Sequence, residues 1–584
     1  MGFFPVFLIW VKKISYHSAF FRLWQPAKFV SDQNQILMKQ FFKTFITSAS
    51  LLASFAAGAQ PGKSHEWYRE LSGPAPHQNH TADMVAEASG KTILTGTVAV
   101  PAGNGVFLRG IYTARVDAAG NQLWEQVYKV PGNFQELSSA VRLHKNAVYT
   151  VGHSRRLDAS AARIILLKYD LNTGDTVWTR FLTPASGYIE QATDLEIDTS
   201  GNLFISGFTY ETSGSAVQAD YLTLKVDGTT GDTLWRRTYN GTLFANDLAM
   251  DVAVDPSGNV IATGRSEGLL GGMSSEYDVL TIKYDPDGNE VWTRRQPGEG
   301  VGDDFGMMVI ADSVGNVYVS AQTFAVNETV NHMTVIRYRP GGALSWKYHH
   351  LGSGLGTAYR QPIALLPEGG VVLAAGTANG MTTIALDSAG TEHWIRHYSR
   401  AGLGDEDVPM RIATNAQGEV YVTGKSRVSS TALDDITTLK YDFSGVLRWA
   451  ATYNGAGNEI DIARAVSLDQ SGNIYVAGDV TSADGHYKMA LLKYSPDPTV
   501  ADDIDTDVSP DVFPNPATGP VTVRNGSEPI TNLKIRSATG SLVADLAPDA
   551  ATATFDVSGW PAGIYLLELS SRSGTRFARL AVNH

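Results

Sequence analysis

The segment Asp255-Pro256-Ser257-Gly258-Asn259-Val260-Ile261-Ala262-Thr263-Gly264 decides the fold, because copies of it return along most of the chain. It joins a turn, in which Asp bonds nearby amides and Gly accepts a positive φ, to a strand of small and β-branched residues. Good copies lie at 198–207, 312–321, 415–424 and 469–478, and looser copies end at Gly96, Gly152 and Gly376. Eight copies of one turn and strand predict a repeat architecture.

A second repeated element follows each first element after a variable loop. In 278–285, Leu280, Ile282 and Tyr284 alternate with Thr281 and Lys283, which is the period of a strand. Seven of the eight copies are followed by a tryptophan, namely Trp124, Trp178, Trp235, Trp292, Trp346, Trp394 and Trp449. Several strands in each repeat predict radially arranged sheets, which are the blades of a β-propeller.

The chain carries one further tryptophan where the repeat pattern needs it. No tryptophan follows the eighth copy, whereas Trp67 precedes the first repeat and has Gly73 six residues on, as Trp235 has Gly241. We therefore predict that residues 60–497 form an eight-bladed propeller, closed by an N-terminal strand in blade eight. We expect the eight tryptophans to pack between blades. An open solenoid is the alternative, and its ends would need caps.

Length, charge and composition restrict the function classes. The chain has 584 residues, enough for a large repeat domain and a small module. Its formal net charge is −13, which argues against nucleic acid as a partner, because phosphate contacts need clustered Lys and Arg. The chain contains no cysteine, so disulfides and thiolate metal sites are excluded.

The first sixty residues read as a targeting segment. We interpret residues 1–37 as an over-annotated extension and residues 38–59 as a signal peptide, with a positive start and an apolar middle. Ala57 and Ala59 form an A-x-A site, which predicts cleavage before Gln60. The mature protein then has no transmembrane span.

A small module follows the repeats. Residues 498–511 are rich in Asp and predict a solvated linker. Residues 512–584 contain short alternating strands about every ten residues, which predict a small Ig-like β-sandwich. Its motif residues are Pro514, Asn515, Pro516, Asp556, Pro561, Ala562, Gly563 and Tyr565.

Two resemblances carry expectations about location. The D-x-x-G-N repeats over roughly 62–497 resemble bacterial SBBP-type β-propeller repeats, which implies a propeller and an exported protein. The P-N-P opening and the D-V-S-x-x-P-A-G-I-Y-L-L block of 512–584 resemble the type A sorting domain of the Bacteroidetes type IX secretion system. That resemblance implies handling by the type IX machinery and a secreted or outer-membrane surface location. The terminal stretch 579–584 lacks the lysine that many members carry.

The chain contains no common catalytic motif, neither GxSxG, HExxH nor a P-loop. We therefore expect a noncatalytic binding, adhesion or scaffold protein with a glycan or protein ligand. The rival is an extracellular enzyme that uses the propeller channel, either quinone-dependent or active on polysaccharide. Asp170-x-x-x-Gly174-x-x-x-Trp178 resembles the tryptophan-docking repeats of quinoprotein propellers, but related scaffold proteins carry these repeats without a cofactor.

One loop leaves calcium open as an alternative. Asp285-Pro286-Asp287-Gly288-Asn289 is rich in oxygen ligands, yet it lacks the bidentate Glu of an EF-hand. We interpret it as a capped turn and predict no cofactor.

Two columns of charged residues recur in the repeats. The acidic column comprises Glu136, Glu190, Asp247, Asp304, Asp407 and Asp461, with Asn79 in blade one and Ala358 in blade six. The basic column comprises Lys168, Lys225, Lys283, Arg337, Lys440 and Lys493, with Arg115 in blade one and Ala385 in blade six. Because blade six has lost both charges, we predict a repeated salt bridge between the columns, each pair within about 4 Å. An acidic ring that binds a cation or a polyol is the alternative.

Overall fold

A computed structural model describes residues 64–583, except 76, 159–160, 183–187, 212–217, 242–245, 271–273, 301, 325–330, 352–360, 401–406, 428–432, 497–510, 516, 525–528, 538–540 and 572–573. The predicted extension, the signal peptide with Ala57, Ala59 and Gln60, most of the linker, Pro516 and Ala358 lie outside the described residues. The chain divides into two compact units, Met1–Tyr494 and Ser495–His584.

The strands of the first unit follow one another without a described helix. The strands β1 to β9 are Trp67–Leu71, His80–Ala86, Thr92–Gly103, Val106–Val116, Gln122–Tyr128, Phe134–His144, Ala147–Arg156, Ala162–Asp170 and Thr176–Leu182. The strands β10 to β21 are Tyr188–Ile197, Asn202–Glu211, Ala219–Asp227, Thr233–Tyr239, Asp247–Val254, Val260–Leu270, Ser274–Tyr284, Glu290–Gln296, Phe305–Ala311, Val317–Phe324, Asn331–Tyr338 and Leu344–Leu351. The strands β22 to β32 are Ile363–Leu365, Gly370–Thr377, Gly380–Asp387, Glu392–Tyr398, Val408–Thr414, Val420–Arg427, Asp434–Tyr441, Leu447–Tyr453, Ile462–Leu468, Ile474–Thr481 and Tyr487–Tyr494.

In the described part of this unit, the strands form eight antiparallel four-stranded sheets, which we call blades one to eight in chain order. Blade one is β2-β3-β4-β5, and each of blades two to seven is formed by the next four strands in chain order. The first strand of every blade lies against the first strands of two neighbouring blades, and β2 lies against β30. We call these first strands inner strands. The predicted all-β propeller fold is thus confirmed.

Blade eight combines the two ends of the unit. Its first, second and third strands are β30, β31 and β32, and its outermost strand is β1. The register pairs Trp67 with Lys493 and Leu71 with Met489. The outer strand of the eighth blade therefore comes from the N-terminal segment, at the position that the spare Trp67 indicated.

Each blade has two different ends. At one end, which we call the turn end, tight turns join the first strand to the second and the third to the fourth. In the turn before Asn289, Asp285 Oδ1 accepts the amides of Asp287 at 3.0 Å and Asn289 at 2.8 Å. Gly288 has a φ of +80°, and a Cβ there would lie 2.8 Å from the Trp235 ring. Only glycine satisfies both the turn and its neighbour.

The other end, which we call the loop end, carries the connections between the second and third strands and between successive blades, and their lengths vary from blade to blade. The core lies between blades, because each sheet presents apolar residues on both faces. In the cluster between blades four and five, Ile261, Val279, Val317 and Ile336 are all at most 1 % exposed. β-Branched residues suit strands that are buried on both faces.

The second unit is a β-sandwich by itself. The strands β33 to β39 are Asp511–Phe513, Pro520–Arg524, Asn532–Ser537, Leu542–Leu546, Thr552–Asp556, Gly563–Ser571 and Gly574–Val582. They form a sheet β33-β34-β37 and a sheet β36-β35-β38-β39. Val521, Leu533, Leu567 and Leu580 are fully buried in its core.

Candidate functional site

The inner strands share a β-bulge at one equivalent position. In seven of the eight described blades the pairing with the second strand skips a single residue there. These bulged residues are Ala82, Ser139, Thr193, Met250, Met307, Met410 and Arg464. In blade six the described inner strand is only three residues long, and it pairs without a shift. A bulge re-aims a side chain out of the regular ladder, so these seven residues can share an environment that regular positions do not.

All seven bulged residues line one cavity, which we call the axial cavity. It has a volume of about 320 Å³, and its other described lining residues are Thr81, Ser138 and Arg411. Residues from seven blades meet here because the inner strands lie side by side around it. The volume lies at the small end of the range for ligand pockets.

Two hydroxyl groups of the cavity lining form hydrogen bonds between neighbouring inner strands. Ser139 Oγ donates to the carbonyl of Ala192 at 2.9 Å, and Thr193 Oγ1 donates to the carbonyl of Ala249 at 3.0 Å. Each bond satisfies a carbonyl on the inner strand of the next blade. Blades two and three therefore contribute a small, hydrogen-bonded wall.

The acids beside this wall converge on an arginine. Arg142 of blade two contacts Asp83 at 2.8 Å, Asp194 at 3.4 Å and Glu196 at 3.3 Å. Burial acts to lower the pKa of Arg142, but the carboxylates of Glu196, Asp194 and Asp83 outweigh it and raise the pKa. The guanidinium of Arg142 thus lies where a cation bound by these three carboxylates would lie. The described residues contain no group of three or more His, Cys, Asp or Glu side chains placed to hold a metal ion.

Arg464 is fixed at the cavity by a buried carboxylate. Its Nε and Nη2 both lie 3.1 Å from Asp479 Oδ2, and Asp479 also accepts the Thr81 amide at 2.6 Å. Asp479 is 1 % exposed, whereas the Arg464 side chain is 34 % exposed. The guanidinium is therefore held in place by a buried partner and still reaches the cavity.

The acidic column does not pair with the basic column, so that prediction was wrong. The acids lie at or close to the start of the inner strands, at the loop end, whereas the bases lie near the end of the third strands, at the turn end. Inner and third strands of an antiparallel blade run in the same direction, so these two positions are at opposite ends of the sheet.

The buried acids instead clamp the loop end. Asp461 accepts the amides of Gly455, six residues earlier, and Thr481, twenty residues later, the latter at 2.7 Å. Asp304 accepts the corresponding amides of Gly298 and Phe324. Each carboxylate therefore ties the connection from the preceding blade to the end of the second strand.

The other acids of the column follow this pattern with variations. Asp247 accepts the Gly241 amide at 2.7 Å, and Asp407 accepts the amides of Arg400 and Arg427, both at 3.2 Å. Asn79 in blade one accepts the Ala99 amide, again twenty residues later, at 3.2 Å.

The two glutamates of the column use cations in addition. Glu136 lies 3.2 Å from Lys129 and accepts the Ser154 hydroxyl at 3.0 Å, and Glu190 pairs with Arg236. None of these partners belongs to the basic column. The described carboxylates do not form the open acidic ring of the alternative either, because their contacts tie the blades together.

Burial affects the protonation of these clamps. Desolvation raises the pKa of Asp304 to about 7 and that of Asp461 to about 6, although backbone amides oppose the shift. Desolvation also raises the pKa values of Glu136, Glu190, Asp247 and Asp407. A raised carboxyl pKa is also a property of general acids, so their hydrogen bonds decide the interpretation.

The basic column works at the turn end. Lys168, Lys225 and Lys283 donate to carbonyls of the turn in the next blade, at 2.8, 2.8 and 3.2 Å. Lys283 also pairs with Asp255 of its own blade at 2.7 Å.

The remaining bases stay within their own blades or add a similar contact. Lys440 and Lys493 pair with Glu419 and Glu66, both at 2.9 Å, and Arg337 donates to the Tyr318 hydroxyl at 3.0 Å. Arg115 contacts Glu87 and the Leu171 carbonyl, and Ala385 is buried in the core.

The tryptophans join successive blades at the turn end. Seven indole N–H groups donate, at 2.9–3.1 Å, to a carbonyl in the turn of the next blade; the tryptophans are Trp67, Trp124, Trp178, Trp235, Trp292, Trp346 and Trp394. Trp449 is 3 % exposed, and its N–H has no partner among the described residues. Blade eight lacks the corresponding turn, because its third and fourth strands come from opposite ends of the unit.

An arginine two residues after the tryptophan completes this joint, and the sequence reasoning missed it. Arg237 Nε donates to the Gly288 carbonyl at 2.5 Å, and Arg294 Nε donates to the Gly342 carbonyl at 2.6 Å. The guanidinium of Arg237 also lies 5.7 Å from the Trp235 ring centre. The W-x-R spacing at Trp67, Trp178, Trp235, Trp292 and Trp394 was the signal that could have revealed it.

The motif residues of the second unit stabilise its fold. Asn515 Oδ1 accepts the Ala581 amide at 2.8 Å, and the Tyr565 hydroxyl donates to the Pro561 carbonyl at 2.8 Å. Asp556 accepts the Ser558 amide at 2.9 Å. Pro514, Ala562 and Gly563 are exposed.

Two family models match the chain. The Secretion system C-terminal sorting domain matches residues 511–583. Outer membrane protein assembly factor BamB matches residues 218–484, less than half of the chain. No curated protein matches the chain. The specific SBBP resemblance stays a prediction.

Several solved structures match the chain at low sequence identity. The type IX secretion surface component PorZ of Porphyromonas gingivalis has 12 % identity and a TM-score of 0.30, with 86 % of this chain and 81 % of PorZ covered. A protein of unknown function from Dyadobacter fermentans has 9 % identity and a TM-score of 0.34, with 74 % and 99 % covered. The RRP9 WD40 repeats have 11 % identity and a TM-score of 0.36, with 62 % and 98 % covered.

The sorting domain determines where the protein goes. The match over 511–583 shows that the chain carries a type IX sorting domain and is secreted to the cell surface. Among the described residues, no helix is both long enough and apolar enough to span a membrane.

Proposed function

We propose that this cell-surface protein is a noncatalytic binding protein that takes its ligand in the axial cavity, within a propeller that otherwise serves as a scaffold. The observation that carries the proposal is the convergence of seven bulged residues on one cavity. A bulge in seven blades costs hydrogen bonds between the strands. In return, each bulge directs one side chain into the cavity, and this side chain can differ from blade to blade.

The chemistry of the described cavity residues supports binding rather than turnover. The lining consists of thioethers, hydroxyls, alanine and guanidinium groups. Asp304 and Asp461, whose pKa values are raised by burial, accept backbone amides at the loop end. The match to an outer membrane assembly factor family also supports a scaffold role.

A quinone-dependent enzyme is the second candidate, favoured by the tryptophan-docking pattern. The described residues do not fit the calcium ion that such enzymes hold with the quinone, because calcium prefers oxygen ligands and the cavity offers thioethers and guanidinium groups. The carboxylates of Asp83, Asp194 and Glu196 surround Arg142 instead. The glycan or protein ligand that we expect from the sequence stays a prediction under the binding proposal.

A fragment screen tests the proposal. The purified full-length protein is screened by ligand-observed NMR against a small-molecule fragment library, in parallel with Ala82→Trp, which places a large side chain in the cavity. We expect hits that bind the wild type, weaken at least tenfold in Ala82→Trp and are recovered unchanged. Val177→Trp, on an exposed outer-strand position, is the matched control.

The same screen can overturn the proposal. A complete lack of hits, or hits that bind Ala82→Trp as well as the wild type, would exclude the axial cavity as the binding site. Chemical conversion of a bound fragment, or a quinone found by mass spectrometry in the native protein, would favour the enzyme.

A further inference from the structure

The axial cavity is chemically divided between its blades. Blades four, five and seven contribute Met250, Met307 and Met410, whereas blade eight contributes Arg464. Blades one to three contribute small residues, two of which use their hydroxyls for the neighbouring blade. The equivalent bulge positions therefore carry apolar methionines on one side of the cavity, small residues on another side and a charged arginine, which we call the charged point.

Met250 is unusually exposed for a methionine among the described residues. Met84, Met333, Met381 and Met489 are at most 5 % exposed, as expected for core residues. Met250, by contrast, is 40 % exposed at the cavity. Three flexible thioethers at equivalent bulges form an adaptable apolar wall, and methionine is the side chain that binding surfaces use to fit varied apolar groups.

The charged point is prepared for an anion. Asp479 holds Nε and Nη2 of Arg464, so the guanidinium loses little freedom when it binds a ligand. Arg411 also lines the cavity, and the described lining contains no carboxylate. A guanidinium in a partly desolvated site forms strong charge-assisted hydrogen bonds with a carboxylate, phosphate or sulfonate.

We infer that the axial cavity binds an amphipathic anion, with its apolar body against Met250, Met307 and Met410 and its anionic group on Arg464. This inference rests on the proposed function, because it names the ligand class of the same cavity. The volume of about 320 Å³ limits the bound part to a short aliphatic chain or a small ring. A free acid and the end of a larger amphipathic molecule share this chemistry.

The first test compares four probes on the wild-type, full-length protein by isothermal titration calorimetry. Octanoate carries both features, octanol lacks the charge, octylamine reverses it and acetate lacks the apolar body. We expect octanoate to bind at least tenfold more tightly than each of the other three. Equal or tighter binding of octanol or octylamine would overturn the inference.

Variants then assign the two features to residues. Arg464→Gln is expected to weaken octanoate about 10–100-fold, the effect of one charge-assisted hydrogen bond, and to leave octanol unchanged. Met250→Ser leaves every charged group in place and is expected to weaken octanoate and octanol alike, by about threefold to tenfold. Arg448→Gln is the matched control, because that side chain is 58 % exposed and pairs with Asp442.

The outcomes separate this inference from the proposed function. If octanoate does not bind but fragments still bind in a way that Ala82→Trp blocks, the ligand class is wrong and the cavity remains the site. If neither octanoate nor any fragment binds, both fail. A longer acid that binds by its end would place the anion of a larger molecule in the cavity, whereas exclusive binding of octanoate would indicate a free acid.

Discussion

The turn end and the loop end of the blades are built from the same strands but hold the molecule together differently. At the turn end, Trp235, Arg237 and Lys225 of one blade all donate to one turn of the next, so the bonds run between blades. At the loop end, the Asp461 carboxylate ties the connection from the preceding blade to the end of the second strand of its own blade. The bonds of tryptophan and arginine at the turn end repeat almost unchanged from blade to blade. At the loop end the buried acid is retained, but its partners differ between blades. The axial cavity lies among the inner strands.

The largest expected effect comes from breaking a joint at the turn end. Trp292 is 4 % exposed and donates to the Pro340 carbonyl at 3.0 Å, so Trp292→Ala should lower the free energy of unfolding by about 3–5 kcal/mol. Trp67→Ala should cost less, since Trp67 is only half-buried, but it breaks the same joint in blade eight. Urea unfolding measures both.

Val291→Ala serves as the control for these joints, because that side chain is 48 % exposed beside Trp292. It should change the free energy of unfolding by less than about 0.5 kcal/mol. An unchanged midpoint for Trp67→Ala would mean that the N-terminal strand adds nothing to the ring.

Removing a clamp at the loop end should cost less than removing a joint. Asp461→Ala leaves the amides of Gly455 and Thr481 without their acceptor, which should lower the free energy of unfolding by about 1–3 kcal/mol. Asp461→Asn should cost clearly less, because Asn79 accepts the equivalent amide in blade one. Equal losses for both variants in chemical denaturation would contradict the clamp.

The clamps should also make stability depend on pH. Burial raises the folded-state pKa of Asp304 to about 7, above its ordinary value of 3.8. The folded state then holds this proton more tightly than the unfolded state, so its contribution is complete below pH 3.8 and is lost as the pH rises through 7. Each pKa unit corresponds to about 1.4 kcal/mol, so the loss is at most a few kcal/mol.

Asp304→Asn isolates this effect. In denaturation measured from pH 4 to 8, the wild type should lose more stability than Asp304→Asn as the pH rises. Asp170 is a suitable comparison, because backbone amides of Thr173 and Asn172 lower its pKa and give the opposite sign. Parallel pH profiles for wild type and Asp304→Asn would show that the carboxyl is charged throughout.

The smallest effect is expected from the exposed edge of the turn end. Lys493 pairs with Glu66 at 2.9 Å, but the Glu66 side chain is 39 % exposed. Lys493→Gln should therefore change the free energy of unfolding by no more than about 1 kcal/mol, and less at high salt. A thermal shift series at two salt concentrations checks this, and a loss as large as that of Trp292→Ala would contradict the ranking.

The sequence was sufficient for the propeller fold and its turn end, but insufficient for the partners of the charged columns and for the cavity. Asp285, Gly288 and Trp292 act through local turn chemistry and regular spacing, and both are visible in a single chain. The partners of the charged columns were not visible, because column spacing does not say at which end of a blade a residue lies. Glu136 and Lys168 recur together without meeting.

The cavity could not be predicted for a different reason. Met250, Thr193 and Arg464 occupy equivalent bulges but share no side-chain chemistry, so no column links them. A bulge is a departure of one residue from a regular ladder, and its position depends on pairing that only the folded sheet defines.

The strands that make up blade eight determine when this blade can fold. Trp67 pairs with Lys493, so one sheet unites the first and the last described strands of the propeller unit. Early blades can form while synthesis continues, but this sheet must wait for almost the entire propeller sequence. Contacts between such distant residues form slowly, because closing so long a loop costs entropy before any contact repays it. The unfinished ring thus stays open until synthesis has almost reached the sorting domain.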